Sequence, residues 1–226
     1  MELIDTIEYR GYKIEVIADY DAENPLDDDE FAPFIVLQPQ AERHFGWSND
    51  KAWASRLEAA LNAIAERGVV KKLYGPSGAL AIVSRWLKVA HGMRVVWPVS
   101  ALEHSGVMVY LGNANHWSDP GGWDSGWVGW WLVGPKQLEG WGGKPDQVKI
   151  EESAKASFDD FAAWVSGDVV RYSIVSPEGD IIEDSPSIYG GDAINQADGW
   201  ALEECHGIID AHIEEVALPG VEVGSR

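Results

Sequence analysis

Ser77-Gly-Ala-Leu80-Ala-Ile-Val83-Ser-Arg-Trp86-Leu87-Lys-Val-Ala-His-Gly92-Met93-Arg-Val-Val-Trp97-Pro-Val99 changes its apolar period partway along. Leu80, Val83, Trp86 and Leu87 recur at three- and four-residue spacing, which places them on one face of a helix running from Ser77 to about Ala90. Gly92 closes that helix, and the run from Met93 to Val99 has the β-branched and aromatic content of a strand. A helix that turns directly into a strand, in a chain where both kinds of segment recur without a regular alternation, predicts an α+β fold.

Downstream, residues 106–111 read as a second strand and residues 112–126, rich in Gly, Asn, Asp, Ser and Pro, as an irregular loop. Residues 127–133 return to strand. Residues 147–166 carry Ile150, Ala154, Phe158, Phe161 and Val165 at helical spacing. Residues 169–175 and 179–183 form a hairpin across Pro177-Glu178-Gly179, and 193–216 read as the last helix. Upstream, 50–67 is a helix capped by Asn49 or Asp50, with Trp53, Leu57, Leu61 and Ile64 inward and Gly68 at its end. Residues 34–38 form a short buried strand, and 7–18 alternate as two strands about Gly11. The expectation is one mainly antiparallel sheet with three to four packed helices. They form a single domain over 1–217, with a subdivision near 145 as the alternative and a flexible tail at 218–226.

The 226 residues carry 37 acids and 17 bases, a formal charge of −20, and the charge is unevenly placed. Residues 1–50 hold 13 acids against 3 bases, 51–100 hold 2 against 8, and 151–226 hold 17 against 3. Such a chain repels nucleic acid and anionic membranes and attracts basic surfaces. The single cysteine, Cys205, excludes an internal disulfide framework and fits a reducing compartment. The polar, charged first ten residues do not read as a signal peptide, and no apolar run approaches the ~20 residues of a membrane span. A cytoplasmic location is expected.

Three groupings are candidates for function. Asp19, Asp21, Glu23, Asp27, Asp28, Asp29 and Glu30 place seven carboxylates in twelve residues. Asn24 where a calcium loop needs Gly, followed by Pro25, departs from that motif, so the segment reads as a docking surface for a basic partner or as a solvated loop. The second grouping is His104, Ser105, His116, Asp119, Asp124 and Ser125 around the Gly-rich loop. Their donor types could hold a divalent metal or transfer protons, although the spacing fits no closed ligand motif. Asp124 and Ser125 could equally pin a turn. The third is Trp117, Trp123, Trp127, Trp130, Trp131 and Trp141, six indoles that serve as core, interface or stacking platform. Trp127 and Trp131 fall on one face of a strand and Trp130 on the other. There is no P-loop, dinucleotide fingerprint or zinc-ribbon spacing, so no cofactor is implied beyond that metal.

The order of several motifs resembles a family of small proteins from bacteriophages, plasmids and other mobile elements. The elements are Asp21-Ala-Glu23-Asn24-Pro25, Glu103-His104-Ser105-Gly106, Trp123-Asp124-Ser125-Gly126-x-Val128-Gly129, Ser166-Gly167-Asp168-Val169 and Tyr189-Gly190-Gly191-Asp192. Family members carry Asp where this chain has Glu103, Cys-Pro where it has Gly121-Gly122, and Gln where it has Trp127. The resemblance brings no established activity and no catalytic residue. It implies an accessory protein at work in the bacterial cytoplasm, where acidic proteins of this kind disarm host defences by imitating DNA. The leading expectation is therefore an anti-defence inhibitor or decoy, antirestriction or anti-CRISPR in kind, binding a host nucleic-acid-processing protein through its acidic residues and not touching nucleic acid itself. The alternatives are a metal-dependent hydrolase of a nucleotide or phosphodiester built on His104, His116, Asp119 and Asp124, and a phage assembly partner that uses the Trp-rich strand.

Overall fold

The computed structural model describes residues 2–27, 32–66, 75–112, 115–140, 145–191, 194 and 199–217. Asp28, Asp29, Glu30, Gly68, Trp141, Asp192 and the 218–226 tail lie outside the described residues. The chain divides into two compact units, Met1–Ala22 with Gly167–Arg226, and Glu23–Ser166. The α+β class and the antiparallel pairing are as expected, but the strands form two sheets and not one. The reason lies in strand pairing: the N-terminal hairpin takes a C-terminal partner, while the strands between them pair among themselves.

In the first unit β1 (Glu2–Tyr9) and β2 (Tyr12–Ala18) form a hairpin, and β2 pairs antiparallel with β7 (Val169–Val175), Lys13 lying opposite Val175. β8 (Ile181–Asp184) and β9 (Ile188–Tyr189) both pair with β7. Alternation along β2 and β7 turns Tyr12, Ile14, Val16, Val170, Tyr172 and Ile174 into one core. That core is closed by Ala201, Leu202, Cys205 and Ile209 of α6 (Trp200–Ala217). Of the helix expected over 193–216, the described part begins at Trp200, apart from a helical Ile194.

The second unit is a sheet in the order β3-β6-β4-β5, formed by β3 (Phe34–Leu37), β6 (Ser125–Val133), β4 (Val95–Glu103) and β5 (Val107–Leu111). Both faces are covered. Ile150, Ala154, Phe158 and Phe161 of α5 (Gln147–Ser166) pack on Ile35, Val99 and Trp131. Leu57 of α2 (Lys51–Glu66) and Leu80, Val83 and Leu87 of α3 (Gly75–His91) pack on Phe34, Val36, Val96 and Trp130. The Asp50 carboxylate caps α2 by accepting from the Trp53 N–H at 3.0 Å, while Asn49 accepts from Ile35 on β3. Two short helices, α1 (Pro39–Phe45) and α4 (Pro135–Glu139), each with proline in the first turn, were not expected.

The Trp-rich strand departs from simple alternation. β6 carries an irregularity opposite Val99 and Ser100, so that Gly129 faces Val99 and Trp127 faces Ser100. The extra residue shifts the phase by one. Trp127 therefore shares a face with Trp130, edge-to-face with ring centroids at 4.7 Å, and only Trp131 points to the α5 side. Trp130 and Trp131 are fully buried and belong to the core.

Candidate functional site

β4 runs to Glu103 and turns through His104, Ser105 and Gly106 into β5, with Ser105 in the left-handed region at φ 60°. β5 leads through Gly112 into the loop that ends where β6 begins at Ser125. Because β4 pairs with β6, Leu102 opposite Ser125, the two turns meet at one end of the sheet. The Glu103 N–H donates to the Asp124 carbonyl at 2.8 Å, and His104 Nδ1 lies 3.1 Å from Asp124 Oδ2. Glu103 in turn holds His44 Nε2 at 3.1 Å. The Glu-His-Ser-Gly and Trp-Asp-Ser-Gly elements, about twenty residues apart in the chain, are thus brought side by side.

Asp119 organises the loop. Its Oδ2 accepts from the N–H of Asp124 at 2.9 Å and from both the N–H and the hydroxyl of Ser125 at 2.8 Å, and its Oδ1 accepts from the Trp123 N–H at 3.1 Å. The Ser125 hydroxyl oxygen also accepts from the His116 N–H at 3.1 Å. Two successive turns, His116 to Asp119 and Asp119 to Gly122, complete the path. Desolvation by the surrounding loop raises the Asp119 carboxyl, and the four hydrogen bonds outweigh it, holding the group at about 2. The pinning role that the sequence suggested for Asp124 and Ser125 is filled from the other side: those residues donate, and Asp119 accepts.

His116 turns to Ser118, with Nδ1 2.7 Å from the hydroxyl, and its ring lies 5.3 Å from that of Tyr110. Of the four residues considered as metal ligands, His104 pairs with Asp124 while His116 and Asp119 are engaged separately. Among the described residues no group of three His, Cys, Asp or Glu side chains gathers around a metal-sized space. Ser105 shapes its turn and is exposed.

The loop spends its structure on displaying two indoles. Trp117 and Trp123 are 85% and 89% exposed, the largest exposures among the large apolar side chains described. Each follows a hydrogen-bonded residue, and the Trp123 backbone is itself held by Asp119. Six tryptophans close in sequence could not be sorted by composition alone. The signal that separates them is context, since Trp117 and Trp123 sit among Gly, Pro, Asp and Ser while Trp130 and Trp131 sit in an unbroken apolar run.

The acidic segment is placed only in part. The Asp19 N–H donates to the Val169 carbonyl and its carboxylate accepts from the Ser187 hydroxyl at 2.6 Å, so Asp19 is tied into the first unit. Asp21, Glu23 and Asp27 are exposed. Asn24 turns the chain by accepting from the Leu26 N–H and donating to Asp27, which seats the Leu26 side chain in the core of the second unit. No family model, curated protein or solved structure matches the chain.

Proposed function

We propose that the protein is a non-enzymatic inhibitor carried by a mobile element, binding a basic, nucleic-acid-processing host protein in the bacterial cytoplasm. The observation that carries this reading is the pair Trp117 and Trp123, held nearly fully exposed on a loop that Asp119 fixes in place. Exposed indoles on a preorganised support are the residues that anchor protein interfaces, because they bury large area at little entropic cost on binding. The charge of −20 supplies complementarity to a basic partner and speeds encounter, with a strong dependence on salt. The exposed carboxylates Asp21, Glu23 and Asp27 contribute to that field. The resemblance to proteins of phages and plasmids suggests the setting.

The test is capture of partners from bacterial lysate at low salt by the wild type and by a Trp117→Ala/Trp123→Ala double variant, followed by an assay of DNA or RNA cleavage by whatever is captured. Expected is retention of a nucleic-acid-processing enzyme by the wild type, its inhibition there, and loss of both in the variant. Retention of the same proteins by both forms, or of none that handles nucleic acid, overturns the proposal. Both tryptophans are exposed, so the variant keeps its fold and a negative result is interpretable.

A further inference from the structure

We propose that the groove between α6 and the β8–β9 edge of the first unit binds an organic cation, a guanidinium or alkylammonium group on an apolar stem. The groove encloses about 410 Å³, within the range of small-molecule sites. Its walls are Trp200, Pro186 and Ile188, its floor is the buried Tyr172, and Glu183 and Glu204 stand at its sides. It belongs to the unit that does not contain the Trp117–Trp123 loop, so it stands independently of the function proposed above.

The chemistry of the lining selects the ligand. Two carboxylates on opposite elements disfavour an anion, and among the described residues no Lys, Arg or His lines the groove to meet a phosphate. Among the described residues neither Glu183 nor Glu204 is ion-paired with a Lys, Arg or His; the adjacent base, Arg171, lies 3.7 Å from Asp184 instead. Trp200 is 60% exposed and lines the groove, and an indole is the preferred aromatic partner for a cation. The apolar walls require that the cation carry a hydrocarbon stem, which a metal ion lacks. The amides at the start of α6 favour negative charge, and Glu203 in the first turn already offsets them. Burial first, then Cys205, Glu204 and Glu183, push the Tyr172 phenol above the usual range, and the two carboxylates among these causes are the ones that flank the groove.

The ligand is either a free polyamine or an Arg or Lys side chain of a bound protein, and both present the same group. The experiment titrates the full chain with butylguanidinium and with its neutral isostere butylurea, following the indole N–H signal of Trp200 by NMR, assigned with Trp200→Phe. Expected is saturable binding of butylguanidinium at least tenfold tighter than butylurea. Glu183→Gln/Glu204→Gln should weaken it tenfold or more, and Trp200→Ala, followed through the backbone amides of Glu183 and Glu204, should weaken it independently. Because all three side chains are exposed, these variants keep the fold, which the dispersion of the remaining signals verifies. Spermidine and an arginine-containing tripeptide, titrated in parallel, distinguish the two sources by which binds more tightly. Equal binding of butylurea, binding unaffected by the carboxylate changes, or no binding of any cation overturns the proposal.

Discussion

One oxygen of the Asp119 carboxylate takes both the N–H and the hydroxyl of Ser125, each at 2.8 Å. The contact closes the loop that carries Trp117 and Trp123, and it is strongest while Asp119 is ionised. The carboxyl is held at about 2 in the folded loop, against about 4 when it is free. A depressed carboxyl stabilises above its unfolded value and loses that contribution as the pH falls. The loop should therefore keep its full support above about pH 4 and lose it progressively as the pH drops towards 2. Amide shifts of Trp123 and Ser125 followed by NMR should titrate with a midpoint near 2; a midpoint near 4 would show that the hydrogen bonds do not form in solution.

Asp119→Asn isolates the same contact at neutral pH. The amide keeps the size of the carboxylate but has one oxygen in place of two and no charge to attract the amides of Trp123, Asp124 and Ser125. Faster hydrogen exchange at those three amides is expected, with the amides of β6 from Val128 to Val133 unchanged because their pairing with β3 and β4 does not involve the loop. Uniformly faster exchange across β6 would contradict this account.

Gly129 lies opposite Leu37 in the antiparallel pairing of β3 with β6. A methyl group on it would collide with the Val36 carbonyl oxygen and come within 2.8 Å of the Leu37 Cα, both backbone atoms that cannot swing aside. Gly129→Ala should destabilise the second unit by ~3 kcal/mol through forced separation of the two strands. Gly126, two residues before the bulge with open space beside it, should accept Ala at far smaller cost. Chemical denaturation of the two variants checks the contrast.

The elements that the sequence made legible are those with one strongly apolar face. Ile150, Ala154, Phe158 and Phe161 announce α5 because a two-layer contact repeats every turn, and all four are buried where the spacing puts them. The pairing of β2 with β7 is not written in any local pattern, since Lys13 and Val175 meet only through the tertiary fold, and the division into two sheets was missed with it. Simple alternation puts Trp127 on the face of Trp131, and the bulge that moves it to the face of Trp130 leaves no mark on composition. At the loop, the cluster of His104, Asp124 and Ser125 was visible as residue types, and their convergence follows from the β4–β6 pairing. The organising role of Asp119 depends on hydrogen bonds four to six residues ahead, which periodicity does not encode.

Two neighbouring core tryptophans offer a direct comparison. Trp131 donates its indole N–H to the Ala154 carbonyl at 3.0 Å, whereas the buried Trp130 N–H has no hydrogen-bond acceptor among the described residues. Replacing either by Phe removes similar volume, but only Trp131→Phe also breaks a hydrogen bond, while Trp130→Phe removes a donor buried without one. Trp131→Phe should be the more destabilising by about 1 kcal/mol. Equal losses in urea denaturation would mean that the Trp130 N–H finds an equivalent partner, with the Trp127 ring beside it the nearest candidate.

Cys205 gives the last prediction, on the first unit. The thiol is fully buried beneath β7, and burial, offset in part by the Tyr172 hydroxyl and reinforced by Glu204, pushes it up to about 12. Thiolate is the reactive form, so at pH 8 the native protein should resist iodoacetamide, while the same protein in denaturant should react as an ordinary cysteine. Because the reaction requires opening of the α6 contact with β2 and β7, its rate under native conditions measures the stability of that core, and Ile209→Ala should accelerate it at least tenfold through loss of packing beside the thiol. Rapid labelling of the native wild type would show that α6 leaves the sheet far more often than its buried face allows.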